Sequence, residues 1–106
     1  MNITEFRDII KKRATLDPND DFETENCWKT EVAILSESIN NTIHFLQNEC
    51  TEDEFAWISE VIDDLVETTK SKELLDCYKT QMSRFPNACK TNNIAFCIEC
   101  AEAILK

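Results

Sequence analysis

Apolar residues recur at steps of three and four along most of the chain, which is the spacing that places side chains on one face of an α-helix. The clearest stretch runs from Thr51 to Thr69. Thr51 and Glu54 stand at the spacing of a capping box, which predicts a helix beginning at Glu52. The apolar stripe of this helix comprises Phe55, Ile58, Val61, Ile62, Leu65 and Val66. Its opposite side is acidic, with Trp57 at the edge, and carries Asp53, Glu60, Asp63, Asp64 and Glu67.

The beginning of the chain shows the same pattern in a shorter form. Asn2 and Glu5 repeat the capping spacing, and an apolar stripe follows, so residues 3–14 are predicted to be helical. The stretch from Leu16 to Asp21 is acidic and rich in turn-forming residues, which is typical of a connector. We expect Phe22 to fix this connector to the core.

From about Cys27 to Asn48 the helical periodicity resumes without an obvious interruption, and its apolar stripe comprises Trp28, Val32, Leu35, Ile39, Ile43 and Leu46. The stripe permits one long helix, whereas the polar cluster from Ser36 to Thr42 permits a break with a serine as the new N-cap. The residues alone leave both arrangements open.

Two further helices are predicted in the last third of the chain. Ser71 is placed to cap the first, and Pro86 disfavours helical geometry at Phe85 and so ends it. The second begins at about Asn93. The chain contains no glycine, which tight hairpin turns usually require. Together these patterns predict one all-α domain over residues 1–106, either a compact bundle or a short stack of helical hairpins, with about five to six helices.

Charge is distributed very unevenly along the chain. The net charge is −10, and between Lys29 and Lys70 there are ten carboxylates and no basic residue. Outside that interval 11 acidic residues balance 11 basic ones. Such a field repels nucleic acid and anionic membranes and attracts a basic partner, although solubility alone also explains an acidic surface.

Neither an export signal nor a membrane segment is expected. The first residues, Met1 to Arg13, form an amphipathic charged segment, and no apolar run approaches the length of about 20 residues that spans a bilayer. We therefore expect a cytoplasmic protein whose six cysteines are reduced.

The candidate chemical groups favour structural roles. Cys97 and Cys100 form a CxxC motif, but the motif lies inside a predicted helix and lacks the second cysteine pair of a structural zinc site. His44, the only histidine, is expected to be exposed and has no nucleophile at a recognisable spacing. We therefore predict no catalytic residue, no metal site and no cofactor.

Part of the chain resembles a known family, and the likeness covers roughly residues 38–86. The segments that carry it are IHFLQNECT at 43–51, EFAWISEVIDD at 54–64, TKSKE at 69–73 and RFP at 84–86. They are similar to small helical immunity proteins, with HEAT-like packing, of bacterial contact-dependent growth-inhibition systems. The resemblance implies a HEAT-like fold, two shorter helices in place of one between residues 27 and 48, and a cytoplasmic inhibitor that binds and neutralises one cognate toxin domain, often a nuclease.

The functional prediction combines this resemblance with the charge pattern. The expected partner is a basic toxin domain, with no direct binding of nucleic acid or membrane and no need for a homo-oligomer. The predicted contact residues are Asp53, Trp57, Glu60, Asp63, Asp64 and Glu67. The acidic segment from Asp17 to Glu25 is the next candidate surface. Trp57 is either a core-edge residue or an interface anchor, since tryptophan is enriched at binding hot spots. An acidic adaptor or a nucleic-acid mimic that occupies another basic protein is the alternative function, and an enzyme or metal protein is the third hypothesis.

Overall fold

The computed structural model describes all residues from Met1 to Lys106, and its regular secondary structure is entirely helical. A short 3₁₀ turn, Gln81–Arg84, lies between the sixth and seventh helices. The eight α-helices are α1 Ile3–Thr15, α2 Asp21–Ser36, α3 Ile39–Asn48, α4 Glu52–Ser59, α5 Ile62–Thr69, α6 Lys72–Thr80, α7 Pro86–Asn92 and α8 Ile94–Ile104. The all-α prediction is confirmed, but the predicted count of five to six helices is too low.

The predicted N-caps are confirmed. The side-chain oxygens of Asn2, Ser38 and Ser71 each accept a hydrogen bond from the backbone N–H three residues later. Thr51 forms the complete capping box with Glu54, whose carboxylate accepts the Thr51 N–H at 3.0 Å. The cap at Ser38 also decides the open question between residues 27 and 48, because α2 ends at Ser36 and α3 begins at Ile39.

The long acidic helix predicted from Glu52 to Thr69 is in fact two helices. Val61 leaves helical geometry, with φ −118° and ψ 5°, and ends the ladder of α4. The N–H groups of Glu60 and Val61 bond three residues back instead of four, which tightens the last turn of α4. All six residues of the apolar stripe are nevertheless buried, so both helices use the predicted core face.

Two other helix boundaries differ from the predictions. α2 begins at Asp21, about six residues before the expected start, because Asp20 caps it through the Glu23 N–H at 3.0 Å. Phe22 therefore lies in the first turn of α2, where its side chain is 73% exposed and fixes nothing to the core. The helix that follows Ser71 ends at Thr80 and continues only as the 3₁₀ turn Gln81–Arg84, so it stops before the end expected at Phe85. Pro86 opens α7 at the first helical position, where its missing N–H costs nothing.

The helices pack into one globule around α5. This helix packs against α2, α4, α6 and α8, while α1 packs on α2, α3 on α6 and α4 on α7. Phe55 and Tyr78 stack in the core with ring centroids 4.2 Å apart, and the Tyr78 hydroxyl donates to the Phe55 carbonyl at 2.8 Å. The radius of gyration is 12.8 Å, against about 13 Å expected for a compact chain of this length. Its near-equal extents of 32 × 28 × 28 Å describe a compact globule.

Two arginines of α1 hold this helix alongside α4. Arg7 Nε donates to Glu54 at 2.7 Å, and Arg13 Nη2 donates to Glu60 at 2.8 Å. Both pairs are separated by 47 residues in sequence, so α1 and α4 run in the same direction. A third link joins α4 to α7, where the Glu52 carboxylate accepts the Ala88 N–H at 3.2 Å.

Candidate functional site

The six predicted contact residues do not lie on one continuous helix. Asp53 and Trp57 belong to α4 and Glu60 to its end, whereas Asp63, Asp64 and Glu67 belong to α5. Asp53, Asp64 and Glu67 are exposed, and the other three are half-buried. The break at Val61 separates the two groups, so the single carboxylate face expected from the sequence does not form.

The sequence pattern placed Glu60 on the solvent side of its helix, but in the structure Glu60 lies inside a polar network. Its two carboxylate oxygens accept hydrogen bonds from Arg13 Nε at 3.1 Å and Nη2 at 2.8 Å. The indole N–H of Trp28 donates to the same carboxylate at 3.1 Å. Arg13 also lies over the ring of Trp57, 5.3 Å from its centroid. Glu60 therefore joins α1, α2 and α4, and one ring face of Trp57 is already covered.

A surface groove lies between α2 and α5 and encloses about 650 Å³. From α5 it is lined by Asp64, Glu67 and Thr68. From α2 it is lined by Asp21, Thr24, Glu25, Trp28, Lys29 and Val32. Two of the six predicted contact residues, Asp64 and Glu67, thus meet the second predicted acidic segment, Asp17 to Glu25, in one concave surface. We call this surface the α2–α5 groove.

The α2–α5 groove carries four carboxylates and one ammonium group. Lys29, the only basic residue that lines the groove, is paired with Glu25 at 3.7 Å. The other three carboxylates, Asp21, Asp64 and Glu67, therefore have no ion-pair partner. Burial, together with the negative charges of Asp63 and Glu67, raises the pKa of Asp64 above its ordinary value. A bound cation would relieve this repulsion, so the groove is electrostatically suited to a basic ligand.

Trp28 is the groove residue that sequence reasoning missed. Its position on the apolar stripe indicated a core role, and the structure leaves it half-buried between the core and the groove. Asp21 and Glu25 had a detectable signal, because they lie in the acidic segment named as the second candidate. Nothing in the sequence indicated that Trp28 would line a groove, because its place beside α5 depends on how helices that are distant in sequence pack together.

The remaining candidate groups form no second site. All six cysteines are free thiols, and those of the CxxC motif, Cys97 and Cys100, lie half-buried within α8. Burial raises the pKa of the Cys97 thiol, which disfavours the reactive thiolate. No three His, Cys, Asp or Glu side chains are grouped so as to hold a metal ion. His44 is exposed, as predicted, and its ring lies 3.2 Å from the Asn48 amide.

Comparisons with models of known protein families, with curated proteins and with solved structures find no match to this chain. None of the helices combines the length and apolar character that a bilayer crossing requires.

Proposed function

We propose that this protein is an immunity protein that binds and neutralises a basic toxin domain of a contact-dependent growth-inhibition system. The observation that carries the proposal is the α2–α5 groove, which Trp28 shares with four carboxylates from two helices, of which only Glu25 has a cationic partner. The resemblance of residues 38–86 to helical immunity proteins supplies the class of partner. In this proposal the protein acts in the cytoplasm, performs no catalysis and needs no cofactor.

The groove supports binding of a basic protein surface in two ways. The carboxylates of Asp21, Asp64 and Glu67 provide long-range attraction, which speeds encounter with a cationic partner. The exposed part of the Trp28 ring provides a rigid apolar contact and a π face for a lysine or arginine side chain. The toxin domain is therefore expected to insert a basic segment between α2 and α5.

The first experiment takes as the candidate toxin a basic domain encoded directly upstream of the gene for this protein, and measures its binding to the wild type and to two charge variants. The variant Asp64→Lys with Glu67→Lys reverses two groove charges that make no ion pair. The matched control, Glu73→Lys with Glu99→Lys, makes the same change in net charge on exposed positions of α6 and α8. We expect the groove variant to lose at least tenfold in affinity, about 1.4 kcal/mol, mainly through slower association, and to lose protection of cells. The control variant should retain both.

The possible outcomes distinguish a wrong contact surface from a wrong function. If both charge variants bind equally well, the groove is not the contact surface. If the wild-type protein binds unrelated basic proteins as tightly as the neighbouring toxin domain, it is an acidic adaptor and not an immunity protein. If it binds no basic domain, the proposed function is wrong.

A second experiment compares the two tryptophans. Trp28→Ala removes the aromatic side chain of the groove, and we expect faster dissociation and a loss of about 2 kcal/mol in binding free energy. Trp57→Ala is the matched variant, because Trp57 lies outside the groove and is covered by Arg13. A larger effect at Trp57 would restore the acidic side of α4 as the binding surface.

A further inference from the structure

Glu31 is the one buried residue whose side-chain polar atoms have no hydrogen-bond partner. It lies in α2, one turn after Cys27, and its side chain is fully buried. Neither carboxyl oxygen is within hydrogen-bond distance of a donor. An ionised carboxylate in such a place is strongly unfavourable, because nothing replaces the water it has lost.

The charges around Glu31 do not supply the missing partner. Arg13, from α1, is the only cation that acts on it, and its Nε and Nη2 groups already donate to Glu60. Glu60, at the end of α4, is itself a second negative charge beside Glu31. The junction therefore holds two carboxyl groups and one guanidinium group.

The other helices packed on α2 add no compensating charge. α5 contributes the acidic residues Asp63, Asp64 and Glu67, and the titratable side chain of α3, His44, is exposed. On α2 itself the neighbouring titratable group is the thiol of Cys27, which is influenced by Lys12 and Glu23, themselves paired at 3.3 Å. The junction thus carries one more carboxyl group than cationic group, and Glu31 is the carboxyl group without donors, so a proton is bound there in preference to Glu60.

We propose that Glu31 is a proton-binding switch that keeps the junction of α1, α2 and α4 closed while it is protonated. When Glu31 loses its proton, its carboxylate competes with Glu60 for Arg13. This competition weakens two contacts. One is the hydrogen bond that the Trp28 indole N–H donates to Glu60, and the other is the contact of the Arg13 guanidinium with the Trp57 ring. Since Trp28 also lines the α2–α5 groove, deprotonation loosens one wall of that groove. This inference does not require the proposed toxin partner.

The direction of the pH dependence follows from the environment of Glu31. Burial first, and the charge of Glu60 second, raise the pKa of Glu31 from 4.5 to about 8. Below pH 4.5 the carboxyl is protonated in both the folded and the unfolded chain, so its contribution to the free energy of unfolding is fully present. As the pH rises toward 8 the carboxyl of the unfolded chain loses its proton first, and the free energy of unfolding falls progressively.

Tryptophan fluorescence measures this switch directly, because the chain has two tryptophans and both contact the junction. We expect the emission of the full-length protein to change in a one-proton transition centred near pH 8 in a titration from pH 6 to 9.5. The variant Glu31→Gln keeps the shape of the side chain without an ionisable group and should abolish the transition. Glu37→Gln, an exposed position at the end of the same helix, should leave it unchanged.

The same variants give a second readout in thermal melting. The melting temperature of the wild type should fall relative to that of Glu31→Gln as the pH rises from 5 to 9. A fluorescence transition that persists in Glu31→Gln, or a wild-type protein that shows none, would overturn the proposal.

A measurement on the wild type alone covers the case in which Glu31→Gln does not fold. Carbon-13 NMR of the glutamate carboxyl groups should show one resonance titrating near pH 8, well apart from the others. If every glutamate carboxyl titrates below pH 6, the proposal is wrong.

Discussion

Single polar contacts between distant residues account for much of the specificity of this core. The Arg13–Glu60–Trp28 network and the Arg7–Glu54 pair join α1 to α4 at two points. Arg84 performs a similar task at the end of α3, where its Nη1 donates to the carbonyls of Leu46 and Gln47 at 3.1 and 2.9 Å. These arginines satisfy carbonyl and carboxylate groups that apolar packing would leave without a partner.

Tyr78→Phe tests one such contact without disturbing packing. The substitution removes the hydroxyl that donates to the Phe55 carbonyl at 2.8 Å and keeps the ring stacked on Phe55. We expect a loss of about 1 kcal/mol in the free energy of unfolding, measured by urea denaturation. Phe96→Leu, on an exposed ring, is the control and should change stability little. An unchanged midpoint for Tyr78→Phe would mean that the hydrogen bond contributes no net stability.

Local capping could be predicted from the sequence, whereas these long-range pairs could not. Asn2, Ser38, Thr51 and Ser71 act on backbone groups three residues away, so their roles follow from spacing alone. Glu60 was expected to be a free surface charge because its partner, Arg13, lies 47 residues earlier. Only the packing of α1 along α4 brings the two together.

Helix ends in this chain are built without glycine. Lys70, which follows the last residue of α5, has φ 53° and ψ 25°, and Asn93, which follows the last residue of α7, has φ 50° and ψ 47°. Both residues occupy the left-handed region, which disfavours most side chains but is tolerated by asparagine. Lys70 is therefore the more strained of the two helix ends.

Replacing these residues with glycine should stabilise the protein unequally. Lys70→Gly should raise the free energy of unfolding by about 1 kcal/mol, because it removes the steric cost of a side chain in left-handed geometry. Asn93→Gly should gain less, since asparagine adopts this conformation more readily. Thermal or urea unfolding of the two variants side by side measures the difference. A larger gain at Asn93 would contradict this explanation.

The division of the acidic helix shows where periodicity stops being informative. Phe55 and Val66 continue one stripe across Val61, and both ends of that stripe are buried, so the pattern predicted the core correctly. It did not predict the break, because the same residues remain apolar whether or not the backbone turns between them. The local cause is the bonding of the Glu60 and Val61 N–H groups three residues back. The segment from Pro86 to Asn92 was missed for a different reason, since Pro86 was interpreted as the end of a helix and proline suits the first position of a new helix equally well.

Over the whole molecule, negative charge is the dominant surface property. The net charge is −10, and the structure contains five ion pairs. The sequence located this charge in the middle of the chain, and folding adds Asp21 and Glu25 to Asp64 and Glu67 in the α2–α5 groove. The concave shape of the groove and the place of Trp28 in it depend on helix packing and could not be deduced from the pattern.

The excess of carboxylates should make stability increase with salt. Sodium chloride shortens the screening length from about 30 Å at 0.01 M to about 10 Å at 0.1 M, which weakens repulsion between separated surface charges. We expect a gain of about 1 kcal/mol, corresponding to a rise of about 4–8 °C in melting temperature for a domain of this size. The variant Asp64→Lys with Glu67→Lys should show a smaller rise. A wild-type melting temperature that falls with salt would mean that the ion pairs outweigh the repulsion.

The buried thiols make local opening of the fold measurable in the unmodified protein. Cys27 lies in α2, Cys50 precedes α4 and Cys77 lies in α6, and burial raises the pKa of each, to about 12 for Cys50. A thiol-specific reagent can modify them only when the surrounding helix opens, so the rate of labelling at each cysteine reports the free energy of that opening. Cys27 reports on the helix that supplies one wall of the groove. A ligand held between α2 and α5 should therefore slow labelling at Cys27 more than at Cys77, which locates its binding site by chemical kinetics alone.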